Sequence, residues 1–333
     1  MKLKKLWVTL LMITVLIGLI GCGAKGSKDT IGNETASTFK VHIAINGLNA
    51  LLFFAKDKKW FEEEFKKIGA EVVWSEFPSG PPLLESLSAG RVDLSLLGDG
   101  PAISSVSNGL PVTLISQLSD GLKGSNILVV QGSSKAQKLA DLKGKKIALA
   151  KGTTMHVFFI KAIQKEGLKE SDFRIIQLQS EEAVAAFQSG AVDAWVGGDP
   201  YTSLLEKNHG ARVLASGKSL NIKAPAFTIA RTDFLKEHPE AVEVYLKVYQ
   251  KAIDYQKNHF DEVATFVANL KKADKSVIEL VIRNSEPLNI PISKEVLAIH
   301  QKSADILLNT GFIKKKIDVT KNVDNTFIEK LKK

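Results

Sequence analysis

The chain has 333 residues, of which 44% are hydrophobic and 24% are charged, a composition typical of globular proteins with a sizeable core. Its length allows one large or two ordinary domains. The formal net charge of +9 comes from lysines that are scattered along the chain without aromatic interleaving, a pattern that argues against a nucleic-acid partner.

The N-terminal residues have the pattern of a secretory signal. Met1 to Lys5 contains three lysines, Leu6 to Ile20 is almost wholly apolar, and the only cysteine, Cys22, follows Gly21. The apolar run is shorter than the ~20 residues that a membrane-spanning helix needs, which disfavours an uncleaved signal anchor. The four residues that end at Cys22 resemble the bacterial lipoprotein box. We therefore predict a signal peptide over residues 1–21 and lipidation of Cys22.

Residues 22–38 are rich in Gly, Ser, Thr and charged side chains and poor in large apolar ones. This composition predicts a flexible tether, which would hold the folded part at the extracytoplasmic face of the cell membrane through the lipid anchor. With one cysteine in the chain no internal disulfide can form, so the exported fold must depend on its hydrophobic core.

From residue 41 onward, strand and helix patterns alternate, which is typical of an α/β fold with a parallel sheet. We predict strands at Val41–Ile45, Val72–Phe77 and Val92–Leu97, a helix over Ala50–Lys67 after the first strand, and a helix ending at Ala89 after the second. The residues expected on the buried face of the first helix are Leu51, Leu52, Phe54, Ala55, Trp60, Phe61 and Phe65.

The same order of elements restarts near Lys146. The segment Gly90–Pro101 (GRVDLSLLGDGP) returns 100 positions later as Gly190–Pro200 (GAVDAWVGGDP), so we predict two lobes that are built alike. The elements expected in the second lobe are the strand Ile147–Ala150, the helix Met155–Glu166, the strand Arg174–Leu178, the helix Glu181–Ser189 and the strand Ala191–Val196.

Four helical patterns follow the second repeat, at Pro239–Asn258, Phe260–Lys271, Lys275–Arg283 and Ser293–Thr310. We assign them to the first lobe, because the chain returns to that lobe once the second repeat is complete. The predicted first lobe is residues 39–121 with 223–333, and the predicted second lobe is residues 122–222. A hinge of two crossover strands would join the lobes.

Aspartates recur at matching places in the two repeats. Asp99 and Asp199 invite interpretation as a catalytic pair, but each precedes a proline near a helix start, so helix capping is the favoured role. Asp93 and Asp193 lie inside the Gly-x-Val-Asp part of the repeat and have the position of structural residues.

The turn Lys151–Thr154 offers a glycine, two hydroxyls and free backbone N–H groups at the start of a helix, a combination that suits an anion. The alternative is that Thr153 or Thr154 only caps the helix. The equivalent helix in the first lobe begins after Gly47, so two helix N-termini would face one cleft beyond the carboxyl ends of the strands. His156, on the first turn of the second-lobe helix, is a further candidate donor.

No catalytic or cofactor motif accompanies this turn. The Walker phosphate-binding pattern, GxGxxG and the GxSxG nucleophile elbow are all missing. The six histidines have no HExxH or close metal-ligand spacing, and no cysteine follows Cys22. We therefore expect no metal, no cofactor and no enzymatic activity.

Three segments resemble a known family. Residues 77–103 (FPSGPPLLESLSAGRVDLSLLGDGPAI), 140–156 (ADLKGKKIALAKGTTMH) and 185–203 (AAFQSGAVDAWVGGDPYTS) are similar to the aliphatic-sulfonate-binding proteins of ABC importers, which are related to those for taurine and nitrate. The similarity covers most of residues 39–320. It implies a two-lobed type II periplasmic-binding-protein fold, a monomer that closes on an organic sulfonate and docks on a membrane permease with ATPase subunits.

Members of that family usually carry an aromatic residue before the Asp-Pro of the second repeat, where this chain has Gly198. A roomier tail pocket follows, and taurine, nitrate or a pyrimidine-type ligand stay open as alternatives, as do an enzyme of the same superfamily and a sensory module. Trp195 has the position either to line the pocket or to fill a core. The predicted ligand contacts are Asn46, Gly47, Asn49, Ser79, Gly80, Asp99, Gly100, Thr153, Thr154, His156, Trp195 and Asp199.

Overall fold

The computed structural model describes residues 39–332. The predicted signal peptide, the tether and the lipidation site at Cys22 lie outside the described residues. Within the described range, no helix combines the length and the apolar character needed to cross a bilayer.

The strands are β1 (Phe39–Asn46), β2 (Ala70–Phe77), β3 (Leu94–Gly98), β4 (Val112–Ser119), β5 (Ile127–Val130), β6 (Lys146–Leu149), β7 (Arg174–Gln177), β8 (Ala194–Gly197), β9 (Arg212–Ser216) and β10 (Ala226–Arg231). The helices are α1 (Ala50–Asp57), α2 (Trp60–Lys66), α3 (Gly80–Ser88), α4 (Asp99–Ser107), α5 (Thr154–Lys165), α6 (Ser180–Gln188), α7 (Tyr201–His209), α8 (Gly217–Leu220), α9 (Thr232–Glu237), α10 (Pro239–Asn258), α11 (Phe260–Lys271), α12 (Lys275–Ser285), α13 (Lys294–Asn309) and α14 (Thr326–Leu331). Short 3₁₀ helices lie at Leu139–Leu142, Glu170–Asp172 and Val319–Asn322.

The strands form two five-stranded sheets, in the orders β2-β1-β3-β10-β4 and β7-β6-β8-β5-β9. The predicted α/β fold with two lobes that are built alike is therefore confirmed. The sheets are mixed and not wholly parallel, because β10 runs antiparallel to β3 and β4, and β5 runs antiparallel to β8 and β9. Each antiparallel strand is the one that the chain adds after crossing from the other sheet.

The prediction of a single helix over Ala50–Lys67 is wrong, because this segment forms two helices, α1 and α2. Lys58 ends α1, and Lys59 takes a left-handed conformation with φ of 56° that redirects the chain into α2. The break lets Phe54 pack against α11 and α12 while Phe61 packs under the first sheet. A continuous helix would present both rings to the same neighbours.

Each sheet has an apolar cluster on both faces. In the first sheet Ile43 packs with α2 and α10 on one face, and Phe227 packs with α3 and α4 on the other. In the second sheet Leu149 packs with Phe158 of α5, and Trp195 packs with Phe187 of α6. The strands are thus held rigidly, with their carboxyl ends left at the edge between the sheets.

The C-terminal helices contact both parts of the chain. Helices α10 and α14 pack on the first sheet, as Tyr245 and Ile328 show. Helix α13 lies between the sheets, because its Leu307 packs with Ile103 of α4 and Val157 of α5. The predicted helix limits Pro239–Asn258 and Phe260–Lys271 are confirmed.

The two segments that link the sheets touch each other. Gly121, with φ of +67°, approaches Ala224 so closely that a Cβ at this position would lie 1.8 Å from the Ala224 carbonyl oxygen. The Ala224 N–H donates to the Asp120 carbonyl oxygen at 3.1 Å. Glycine is required here by both the conformation and the contact, so the crossings form one paired connection.

Candidate functional site

A cavity of about 260 Å³ lies between the two sheets, at the carboxyl ends of their strands. Strand ends and helix starts from both halves of the chain line it, as expected for open α/β sheets. The predicted contact residues that line it are Asn46, Gly47, Ser79, Gly80, Thr153, Thr154, Trp195 and Asp199. The predicted contacts Asn49, Asp99, Gly100 and His156 are not among its lining residues.

Helix α5 points its N-terminus into the cavity. Thr153 is the N-cap, and its Oγ1 accepts a hydrogen bond from the His156 N–H at 3.4 Å while donating to the Ala150 carbonyl oxygen at 2.6 Å. The N–H groups of Thr154 and Met155 have no acceptor within the helix, since they belong to its first turn. Both residues line the cavity, so these donors and the positive end of the helix dipole face it.

Two further helices begin at the cavity wall. Helix α3 starts at Gly80 and helix α6 at Ser180, and both residues line the cavity. In α3 the next two residues are prolines without N–H groups, so Gly80 is the donor that its first turn offers. Three helix N-termini therefore converge on one space.

A hydrogen bond crosses the cavity beside these helix starts. The Ser79 Oγ donates to the Gln179 Oε1 at 3.1 Å. The two residues occupy equivalent positions, 100 apart, in the two repeats. Gln179 and Ser180 were missed by our sequence reasoning, and the signal that would have found them is their alignment with Ser79 and Gly80.

Glycines of the first repeat allow a close approach to the start of α5. A Cβ at Gly98 would lie 2.0 Å from the Thr154 Oγ1, and a Cβ at Gly100 would lie 2.7 Å from the Thr153 carbonyl oxygen. Gly100 thus contacts the turn that carries the helix donors, although it does not line the cavity itself. Its place in the site is the packing of one half against the other.

The cavity wall is almost free of charge. Among its described lining residues, the single ionisable side chain is that of Asp199. The Asp199 Oδ1 accepts hydrogen bonds from the Oγ atoms of Thr202 and Ser203 at 2.8 and 2.6 Å, and Oδ2 accepts from the Asn284 Nδ2 at 3.3 Å. Asp199 is not the N-cap of α7, which is Pro200, but its Oδ1 accepts the Ser203 N–H of the first turn at 3.3 Å. The donors offered to a ligand are consequently neutral.

Asp99 does not line the cavity, and the capping role favoured for it is wrong, because Gly98 is the N-cap of α4 and the Asp99 side chain has other partners. It is fully buried, with the His300 Nδ1 at 2.6 Å from its Oδ1 and the Lys161 Nζ at 3.4 Å from its Oδ2. Burial by itself would raise the pKa of Asp99, but the charge of Lys161 and the hydrogen bond to His300 outweigh it and lower that pKa. Asp99 is an ionic link that joins α4 to α5 and α13.

His156 and Asn49 also have other partners than those expected. The buried His156 ring accepts the Gly152 N–H at its Nδ1, at 3.3 Å, and its Nε2 lies 3.4 Å from the Glu170 Oε1. The Asn49 Oδ1 accepts the Leu52 N–H at 2.9 Å and caps α1. Both side chains support helix starts at the cavity without lining it.

Trp195 both lines the cavity and fills the second core, because its side chain is almost fully buried on β8. Gly197 makes room for its indole, since a Cβ at that position would lie 2.1 Å from the ring. The structural role predicted for Asp93 and Asp193 is confirmed: they accept the N–H groups of His42 and Lys146 at 2.9 and 2.8 Å. Across residues 39–332, no group of His, Cys, Asp and Glu residues is placed to hold a metal ion.

Comparison with known proteins identifies a matching family model and a protein of similar sequence. The model of the NMT1-like family matches residues 38–269. A Bacillus subtilis (strain 168) protein named as an aliphatic sulfonates-binding protein is 43% identical over 96% of this chain and 95% of its own.

Two solved structures of sulfonate-binding proteins have a fold similar to that of this chain. The alkanesulfonate-binding protein from Xanthomonas axonopodis pv. citri, bound to MOPS, is 26% identical with a TM-score of 0.80, covering 86% of this chain and 98% of its own. The periplasmic aliphatic sulphonate-binding protein from Escherichia coli is 27% identical with a TM-score of 0.77, covering 85% of this chain and 96% of its own.

Proposed function

The chain belongs to the NMT1-like family, among the aliphatic sulfonate-binding proteins, and from this premise we propose that it captures an organic sulfonate between its lobes for an ABC importer. It is a solute-binding protein and not an enzyme. The observation that carries the proposed ligand is the convergence of three helix N-termini, at Gly80, Thr154 and Ser180, on one cavity whose single described ionisable side chain is that of Asp199.

The chemistry of that space suits a sulfonate head group. A sulfonate is fully ionised near neutral pH, carries three acceptor oxygens and has no proton to exchange. Backbone N–H groups at helix starts hold such an anion without a charged side chain, because the helix dipole and the aligned donors act together. The Thr154 hydroxyl adds a donor that can rotate toward the oxygens, and Ser79 can add another by exchanging its bond to Gln179 for one to the ligand.

A ligand that contacts both lobes would favour closure of the cleft between them. We propose the first lobe as residues 39–121 with 223–333 and the second as residues 122–222, because the two sheets separate along these limits. A sulfonate that binds the α3 and α5 starts together favours the closed arrangement by population shift. The paired crossing at Gly121 and Ala224 is the proposed hinge.

The proposed location is the extracytoplasmic face of the cell membrane, as a monomer anchored by lipid on Cys22. The support is the signal pattern over residues 1–21 and the tether composition over residues 22–38. The proposed partners are a membrane permease and its ATPase subunits. Radiolabelled palmitate incorporated into the wild-type chain but not into a Cys22→Ser chain would test the anchor.

Ligand binding is tested by the thermal stability of the purified protein. A sulfonate at 100 times its Kd should stabilise the protein by roughly 2.7 kcal/mol and raise its Tm by a few degrees. Thr154→Val should weaken binding about tenfold or more, since a hydrogen bond to a charged group contributes ~1.5–3 kcal/mol. Thr154→Ser keeps the hydroxyl and should retain most of the affinity.

Taurine, nitrate and a pyrimidine serve as competing ligands in the same measurement. Stabilisation by nitrate or a pyrimidine, with none by any alkanesulfonate, would reject the proposed ligand and keep the class of protein. Stabilisation by taurine alone would point to the carboxylate of Asp199 as a partner of its ammonium group.

A further inference from the structure

A cavity of about 550 Å³ lies between α5 and α13, away from the one between the sheets. Three parts of the chain line it: α5 with Lys161 and Lys165, α13 with Glu295 and Lys302, and residues 221–223, which lead from the second sheet back to the first. It shares no lining residue with the proposed sulfonate site. Because Glu295 and Lys302 are exposed, the cavity is open to solvent.

Lysines dominate the wall of this cavity. Four of its ten lining residues are lysines, and the one acidic residue is Glu295. Lys161 and Lys165 are four positions apart, so they share one face of α5, where like charges repel each other. Lys302 of α13 and Lys223 of the returning segment add two more cations to the same space. A concave wall with such an excess of one charge attracts ions of the opposite sign.

The carboxylates near these lysines do not balance them. The Glu295 Oε1 lies 3.6 Å from the Lys223 Nζ, but the Glu295 side chain is 77% exposed, so water screens the pair. The Asp99 Oδ2 lies 3.4 Å from the Lys161 Nζ, but Asp99 is shared with His300 and does not line the cavity. Within residues 39–332, these two are the ion pairs that the lysines of the cavity form.

The ammonium groups also keep donors for a ligand. The Lys165 Nζ donates to the Leu220 carbonyl oxygen at 2.6 Å, and the Lys161 Nζ lies 3.4 Å from the Lys223 carbonyl oxygen. Each ammonium has three N–H groups, so these bonds leave part of its capacity unused. They also hold both side chains of α5 beside the returning segment, which fixes the charges at the cavity before any ligand enters.

We infer that this cavity is a second binding site, which takes a multivalent oxyanion such as pyrophosphate or a phosphate monoester. The compact ammonium of lysine, with its rotatable donors, is a common partner of phosphate oxygens. A multivalent anion would balance several of the four cations at once, whereas a singly charged sulfonate would leave most of them unbalanced. The inference does not depend on the ligand of the cavity between the sheets.

Calorimetric titration of the purified protein with pyrophosphate tests this site. We expect saturable binding that weakens as KCl is added, because salt screens charges that face solvent. Thr154→Val should bind pyrophosphate as the wild type does, since Thr154 lines the other cavity. Loss of pyrophosphate binding in Thr154→Val would place the anion at the proposed sulfonate site and overturn the inference.

A pair of double variants separates a site from a general effect of charge. Lys223→Gln with Lys302→Gln should weaken pyrophosphate binding about tenfold or more, because each change removes a charged donor. Lys315→Gln with Lys316→Gln is the matched control, since these exposed lysines follow α13 and do not line the cavity. Equal losses in the two double variants would overturn the inference.

The phosphate group could belong to a solute or to a lipid. Flotation with phosphatidylcholine vesicles, with and without phosphatidic acid, distinguishes these sources. Binding of pyrophosphate without capture by either vesicle identifies a soluble ligand. Capture by phosphatidic acid vesicles, lost in Lys223→Gln with Lys302→Gln and kept in the control, identifies a lipid head group. Failure to bind both pyrophosphate and phosphatidic acid would overturn the inference and leave the proposed function unaffected.

Discussion

The second repeat places Asp199 at the wall of the cavity, whereas the first repeat places its counterpart Asp99 in complete burial. Both residues follow the strand that ends the Gly-x-Val-Asp motif, and both begin a turn into a helix. Their partners differ, because Asp99 meets Lys161 and His300, while Asp199 meets only neutral donors. A repeated motif therefore preserves backbone geometry, while the surrounding elements decide what its side chains do.

The aspartates earlier in the motif, Asp93 and Asp193, instead keep the same role in both lobes. Asp93 accepts the N–H of His42 within β1, and Asp193 accepts the N–H of Lys146 at the start of β6, so the repeat keeps this bond to the neighbouring strand in both lobes. The first lobe adds Arg231, whose Nη2 lies 2.7 Å from the Asp93 Oδ1. The shared role is local to each sheet, and the added ion pair comes from β10 after the chain has returned.

Removing the charge of the buried aspartate is expected to have the largest effect. Asp99→Asn should lower the free energy of unfolding by about 3 kcal/mol, because it leaves Lys161 without its buried counter-charge and weakens the hydrogen bond with His300. Asp199→Asn, the control from the other repeat, should cost less, about 1.5 kcal/mol, because the partners of Asp199 are neutral groups and the remaining Asn oxygen can still accept from some of them. Urea denaturation of both proteins measures the difference, and equal losses would show that the two aspartates are interchangeable after all.

Acid should reduce the difference in stability between the wild type and Asp99→Asn. The lowered pKa of Asp99 means that its contribution to stability is present above ~3.9, the ordinary pKa of an unfolded Asp, and is lost as the pH falls through the lower folded value. Asp99→Asn cannot lose this contribution. The stability gap between wild type and Asp99→Asn should therefore shrink in denaturation experiments below about pH 4. A gap that stays constant to pH 2 would contradict an ionic origin.

The next largest effect is expected for the glycines that precede these aspartates, Gly98 and Gly198, whose replacement by alanine should weaken ligand binding to different extents. Gly98→Ala would place a Cβ 2.0 Å from the Thr154 Oγ1 and push that hydroxyl away, so sulfonate affinity should fall about tenfold, ~1.4 kcal/mol. In Gly198→Ala the Cβ lies 3.0 Å from the Ser125 carbonyl oxygen, and we expect less than about a threefold loss, ~0.6 kcal/mol. Titration calorimetry separates the two, and a larger loss in Gly198→Ala would reverse the comparison.

The smallest effect concerns the hydrogen bond between equivalent residues of the two lobes. Ser79→Ala and Gln179→Ala should each weaken ligand binding by about 1 kcal/mol, since each removes one side of the same bond. The double variant should bind about as well as either single one, because neighbouring partners are not additive. Losses that add in full would mean that the two side chains act on the ligand separately.

The position of the cavity was predictable from sequence, but part of its wall was not. The turns at Gly47, Ser79 and Thr154 were found because carboxyl ends of strands and helix starts carry local signals. Asp99 and His156 were expected beside them but do not line the cavity, because a pattern gives a residue's place along the chain and not the direction of its side chain. Part of the wall, including Ser125 and Ala224, comes from the two segments that link the sheets, and no local pattern predicts that they meet there.

Local sequence patterns were enough to predict the alternation of strands and helices in the two repeats, the duplication of the lobe and the limits of helices such as Pro239–Asn258. Periodicity and capping act between near neighbours, so they are written in the local sequence. The break of the first helix at Lys59, and the contact of His300 with Asp99 across 201 positions of the chain, could not be predicted from local patterns. Such contacts depend on how the returning chain packs between the two sheets, because burial and charge pairing are set by distant neighbours brought together in space.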